Sequence, residues 1–136
     1  MTPRALIDTS ALLALASPRD QYHGRATGTA RRFVENGGRW IGTTLVLAEF
    51  HGHALRRVGP AAARSLLGAL LRDPAYQWVE VSSELIGAAS SAWLERFHDQ
   101  RFSLTDAVSF EIMQRDGVNT AFAFDRDFVT AGFELL

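Results

Sequence analysis

Apolar and polar positions along the chain switch repeatedly between a strand-like and a helix-like pattern. Ala5-Leu6-Ile7 is a short apolar run that ends at Asp8, as a buried strand does. The Ala- and Leu-rich stretch from Thr9 to about Ala16 predicts a helix, which Ser17-Pro18 stops. A polar amphipathic helix is expected over about 20–35, closed by Asn36-Gly37-Gly38. Trp40-Ile41 predicts a second strand, and Thr43 or Thr44 caps a helix running to about Val58. Gly59-Pro60 punctuates, and Pro60 suits a first helical position. Leu66, Leu67, Leu70 and Leu71 then form one apolar stripe at helical spacing, ended by Asp73-Pro74. Trp78-Val79-Glu80-Val81 alternates like a strand. Ser82 or Ser83 caps a helix with Ile86, Ala89, Trp93 and Phe97 on one face. Ser103 opens another, with Leu104, Val108 and Ile112 inward and Gly117 as its stop. Residues 120–124 predict a strand ending at Asp125, and 133–136 a last short one.

Short strands alternating with helices require crossovers. The expected architecture is therefore α/β, a three-layer α/β/α arrangement around a short, mostly parallel sheet. Such sheets take ligands at the carboxyl ends of their strands. No repeat or low-complexity linker interrupts the pattern, and 136 residues predict a single domain spanning 1–136. A chain of this size buries roughly two-thirds of its unfolded surface.

Composition narrows the chemistry. There is no cysteine, which removes disulfides, thiolate zinc sites and cysteine nucleophiles. All fourteen basic residues are arginine. Without lysine there is no Walker-A lysine and no Schiff base. Fourteen basic against fifteen acidic residues leave a net charge of −1, so bulk charge does not bind nucleic acid here. The longest unbroken apolar run, Ala11 to Ala16, is far too short to span a bilayer. Arg4, the apolar stretch after it and Ala14-Leu15-Ala16 imitate a signal peptide, but Asp8 breaks the stretch, and a cytoplasmic protein with no membrane association is expected.

Two predicted strands end in aspartate, at Asp8 and Asp125. In a parallel sheet both carboxylates emerge on one edge. Each has a plainer reading as a helix cap. Ser103-Leu104-Thr105-Asp106 likewise reads as a capping box, with Asp106 in the first turn. Glu49 sits in the second turn of its helix among apolar neighbours and could pair with His53 or Arg56. Together the four acids suggest more than caps. Carboxylates crowded at one edge repel and rise in pKa unless a cation compensates. The matching cation is hard and oxygen-loving, Mg²⁺ or Mn²⁺, and such a pocket suggests metal-assisted hydrolysis of a phosphodiester.

Asp8-Thr9-Ser10, Glu49 after Thr43-Thr44, Ser103-Leu104-Thr105-Asp106-Ala107 and Phe124-Asp125-Arg126-Asp127-Phe128 resemble, in order and spacing, the four motif blocks of PIN-domain nucleases. With the total length, they resemble VapC-type toxins of bacterial toxin–antitoxin pairs. The resemblance covers residues 5 to about 133. It implies that Asp8, Glu49, Asp106 and Asp125 are a catalytic, metal-binding quartet for Mg²⁺ or Mn²⁺. It makes Ser10 and Thr105 supporting hydroxyls that orient an acid or a water. Where many members carry histidine this chain has Asp127, which leaves two candidates for the fourth acid. Asp125 is preferred because it directly follows the predicted strand, with Asp127 in support. The resemblance further implies a metal-dependent endoribonuclease acting on single-stranded or loop RNA, a homodimer, and an antitoxin whose peptide lies in an apolar groove.

Arg31, Arg32, Arg56, Arg57, Arg101 and Arg126 could contact phosphates, although most read as solvated faces. Arg126, beside Asp125, is singled out. His51-Gly52-His53 invites a zinc site, but the two histidines face different sides of a helix and H-E-x-x-H is absent. The alternative function is a catalytically weakened PIN-like module that binds RNA or protein. A haloacid-dehalogenase-type phosphatase is excluded, because Ser10 stands where its second aspartate belongs and no lysine exists.

Overall fold

The computed structural model describes residues 2–136. Five parallel strands form one sheet in the order β3-β2-β1-β4-β5. They are β1 (Arg4–Ile7), β2 (Arg39–Thr43), β3 (Tyr76–Val79), β4 (Thr120–Phe122) and β5 (Glu134–Leu135). The helices are α1 (Thr9–Ala16), α2 (His23–Glu35), α3 (Thr44–Val58), α4 (Pro60–Arg72), α5 (Ser83–Ala89), α6 (Leu104–Asp116) and α7 (Asp127–Thr130). A π-helical segment, Ser90–Glu95, continues α5.

Alternation along the strands sorts the core into two layers. Ala5 and Ile7 of β1, Trp40 of β2 and Phe122 of β4 face one way, toward α1, α2, α3 and α4. Leu6, Ile41 and Ala121 face the other way, toward α5, the π-helical segment, α6 and Phe128 of α7. Leu6 pairs with both Ile41 and Ala121, so β1 is the centre of the sheet. Helices on both faces make this the expected α/β/α sandwich. Among the described residues, no helix is long and apolar enough to cross a membrane.

Several elements differ from the sequence expectation, each for a local reason. The second helix starts at His23 because Asp20 holds a turn first: its carboxylate accepts from Tyr22 N–H at 2.8 Å and its carbonyl from His23 N–H at 3.0 Å. β3 begins two residues early, and Val81 N–H leaves the ladder to donate to the Thr44 hydroxyl at 3.2 Å. β4 stops at Phe122, since Phe124 N–H donates to the Ser10 hydroxyl at 3.0 Å rather than to a strand. Leu104 does not point inward; it opens α6 and is 39% exposed, while Val108 and Ile112 are buried. The leucine stripe of α4 is divided. Leu66 and Leu70 are partly buried, pack against the core and line an apolar groove with Leu12, Leu15, Ala16 and Phe50, whereas Leu71 is 58% exposed.

Aromatic rings fill much of both layers. Trp40 lies 5.1 Å from Phe122 and 4.3 Å from Phe33, centroid to centroid. Gly42 admits the Trp78 ring, which a Cβ at that position would meet at 2.5 Å. In the other layer Phe110, fully buried on α6, meets Phe128 edge-on at 5.0 Å and Trp93 at 5.2 Å. Phe110→Ala should therefore cost about 3–5 kcal/mol of stability. The check is a lower midpoint in urea at unchanged slope; a loss below about 1 kcal/mol would contradict this packing.

Candidate active site

Strand order places the strand-end residues. The chain builds the sheet outward from β1 to β3, then returns to add β4 and β5 on the other side of β1. The reversal falls at β1, where open parallel sheets form their binding crevice. Asp8 follows β1, Glu49 lies on the helix after β2, and Asp125 follows β4 by a short loop. α6 starts at the same edge and presents Asp106. An open cavity of about 340 Å³ lies there. Asp8, Glu49, Asp106, Asp125 and Asp127 all line it, with Thr9, Ser10, Ser103, Leu13 and His53.

Each acid is held by local chemistry. Asp8 is buried and caps α1, accepting Ser10 N–H at 3.2 Å and the Ser10 hydroxyl at 2.6 Å. That same hydroxyl accepts Phe124 N–H at 3.0 Å, which ties the corner after β1 to the loop that carries Asp125. Asp106 forms the expected capping box. Its carboxylate accepts Ser103 N–H at 3.1 Å, and its own N–H donates to the Ser103 hydroxyl at 3.0 Å. Asp125 accepts Asp127 N–H at 3.0 Å in the turn that leads into α7. Capping and cavity-lining thus coincide in Asp8 and Asp106. Glu49 joins none of the salt bridges among the described residues; His53, its expected partner, is hydrogen-bonded to Arg56 at 3.3 Å.

Crowding shows in the proton affinities. Burial pushes the Asp8 carboxyl up to about 7, against the pull of the Ser10 hydroxyl, and the charges of Asp125 and Asp106 push the same way. Asp106 is pushed up to about 6, again chiefly by burial, with Asp125 and Asp127 adding repulsion and Ser103 opposing. Burial and then Asp125 also raise Asp127. The Thr9 hydroxyl, buried at the cavity wall, has no hydrogen-bond partner.

Of the sequence candidates, Asp8, Ser10, Glu49, Asp106, Asp125 and Asp127 meet at this cavity. Thr105, one residue before Asp106, is not part of its wall, and Arg126 is exposed and outside it. Asp125 does not directly follow its strand, because Ala123 and Phe124 intervene. His53, Thr9 and Ser103 are the polar wall residues, and Leu13 the apolar one, that sequence reasoning did not assign to a site. The i, i+4 spacing of Glu49 and His53 was the available signal for His53.

A family model described as PIN domain matches residues 5–134. The chain is 34% identical over 128 residues to the 23S rRNA-specific endonuclease VapC20 of Mycobacterium tuberculosis, covering 93% of each. It superposes on the crystal structure of M. tuberculosis VapC20, described as a sarcin–ricin loop cleaving toxin, with a TM-score of 0.81 at 32% identity over 95% of each chain. A toxin–antitoxin complex from Klebsiella pneumoniae shares the fold, with a TM-score of 0.67 at 16% identity over 97% of this chain and 95% of the other.

The raised carboxyls set a pH dependence for the metal-free protein. The folded state holds protons on Asp8 and Asp106 more tightly than the unfolded chain does. Their contribution to stability is complete below the ordinary carboxylate range and is lost as pH rises through about 6 and about 7. In chelator, Tm should fall between pH 5 and pH 8. Asp8→Asn, which keeps the helix cap, should raise Tm at pH 8 and flatten the slope. A wild-type Tm that is constant or climbs across this range would show that the carboxylates are not in conflict.

Proposed function

The chain belongs to the PIN-domain family, and from that premise we propose that it is an endoribonuclease, the toxin of a toxin–antitoxin pair, which hydrolyses RNA with bound Mg²⁺ or Mn²⁺. The observation that carries this reading is the convergence of five carboxylates on one open cavity, three of them (Asp8, Asp106 and Asp127) with raised proton affinity. Burying carboxylates together in this way costs stability and persists where it serves a site.

The donor chemistry fits a hard divalent ion. Asp8, Glu49, Asp106 and Asp125 offer only oxygens, and the cavity has no sulfur ligand. Mg²⁺ keeps several waters and takes one or two carboxylates together with substrate phosphate, so an open cavity lined by carboxylates offers the donors it uses. When bound, such an ion polarises the phosphate and lowers the pKa of a water. The remaining work falls to the protein. Ser10 holds Asp8 and the β4–α7 loop in register. Ser103 holds Asp106 at the start of α6. Asp127 N–H orients the Asp125 carboxylate. The open mouth admits an unstacked RNA segment, as loops provide.

Likeness to VapC20 supports ribosomal RNA as the substrate class, with the sarcin–ricin loop of 23S rRNA as the leading target. The groove between α1, α3 and α4, lined by Leu12, Leu15, Phe50, Leu66 and Leu70, suits an apolar antitoxin peptide. A homodimer is part of the same proposal. The rival, a PIN-like module with a weakened site that only binds, predicts no turnover.

Purified protein should cleave an RNA hairpin carrying the sarcin–ricin sequence in Mg²⁺ or Mn²⁺, and chelator should abolish cleavage. Losing a residue that merely supports a metal ligand costs about 10–100-fold. Asp106→Asn should therefore lower kcat at least about a hundredfold. Cleavage that survives chelator, or the mutant at full rate, would remove the mechanism. Expressed alone, the protein should arrest growth, and Asp8→Ala should relieve the arrest; equal arrest by the mutant would count against a nuclease toxin.

A further inference from the structure

The cavity that gathers five carboxylates has one basic residue in its wall, His53. None of the arginines lines it. A phosphodiester entering such a space meets like charge on nearly every side, and beyond the cation that these acids would hold, attraction must come from the wall itself. His53 sits one helical turn after Glu49 on α3, so both reach the same wall. His51, on another side of the helix, does not line the cavity.

Arg56 defines what His53 can do. Its guanidinium lies 3.3 Å from His53 Nδ1. Arginine only donates, so when this bond is made Nδ1 accepts and Nε2 carries the ring's proton. The ring thereby carries an N–H donor on the nitrogen away from Arg56. Arg56 itself is exposed and takes part in no salt bridge among the described residues. Its neighbour Arg57 is engaged with Asp20 at 3.8 Å. The uncompensated guanidinium and the donor-bearing imidazole stand together at the α3 side of an otherwise acidic mouth.

We propose that His53 and Arg56 form the phosphate-binding wall of the substrate site: His53 donates to a phosphate oxygen of the RNA backbone, and Arg56 fixes the ring's tautomer and supplies the charge that draws the strand to the α3 side. This rests on the nuclease reading above and adds the direction from which the backbone is held. His53 is a binding residue for the substrate and Arg56 positions it.

The experiment uses the intact protein and a fluorescein-labelled RNA hairpin carrying the sarcin–ricin sequence. Binding is read by anisotropy in chelator, which prevents turnover, and cleavage is read separately with Mn²⁺. Loss of a charge-assisted hydrogen bond predicts that His53→Ala weakens binding about tenfold. In cleavage, KM should rise by a similar factor with kcat within about twofold, the mark of binding lost equally from ground and transition states. Arg56→Ala should weaken binding and shrink the slope of log Kd against log salt by about one. His53→Gln, which keeps a donor, should recover most of the affinity, and His51→Ala should match the wild type. Circular dichroism verifies that each variant folds. His53→Ala with wild-type Kd and KM, or with kcat lowered and KM unchanged, overturns the proposal while leaving the nuclease intact. Binding that depends on His53 without cleavage in Mn²⁺ sinks the nuclease reading instead. A wild type that binds no RNA in chelator and cleaves none in Mn²⁺ overturns both.

Discussion

The structure turns on one hydroxyl. Ser10 donates to Asp8 at 2.6 Å and accepts from Phe124 N–H at 3.0 Å, joining two strand exits that are 114 residues apart in sequence. Without it, Asp8 would lose the interaction that opposes its burial, and the loop bearing Asp125 would lose its anchor beside β1. A parallel sheet brings strand ends to one edge but does not aim the side chains just beyond them. Aim here comes from short polar contacts: Ser10 to Asp8, Ser103 to Asp106, and Asp127 N–H to Asp125. The first two are bonds that also start a helix. The fold therefore obtains much of its carboxylate cluster from interactions it needs in any case to begin α1 and α6.

Electrostatic conflict is the cost of that arrangement. Burial is the larger part of the shift at both Asp8 and Asp106, and neighbouring acids add to it. The hydrogen bonds from Ser10 and Ser103 offset only some of this. A site left in such tension at neutral pH is suited to a cation. The imidazole of His53 is the one basic contribution to its wall, and it reaches the cavity from the only helix that also supplies Glu49.

Much of this was legible from residue order. α1, α3 and α4 have the boundaries that Ser17, Thr43, Gly59 and Pro60 indicate, because caps and breakers act through backbone groups of their immediate neighbours. The acids were legible because strand exits in a parallel sheet share an edge. The failures are tertiary. Leucine spacing marks a stripe on α4 but cannot say that little packs over Leu71. Leu104 carries the right period yet occupies the first turn, beyond the reach of the core. The end of β4 is hidden in the sequence because its competitor, the Ser10 hydroxyl, comes from the far end of the chain. His53 reads in sequence as a zinc ligand or as a partner of Glu49, and only its neighbour Arg56 and the cavity outline distinguish a third use.

α1 has eight residues and is about 12 Å long. Its first turn, with Thr9 and Ser10, borders the acidic cavity, and Leu12, Leu15 and Ala16 border the apolar groove. The two concavities therefore share one partition: the helix that begins at the corner where Asp8 is seated also forms a side of the oily groove.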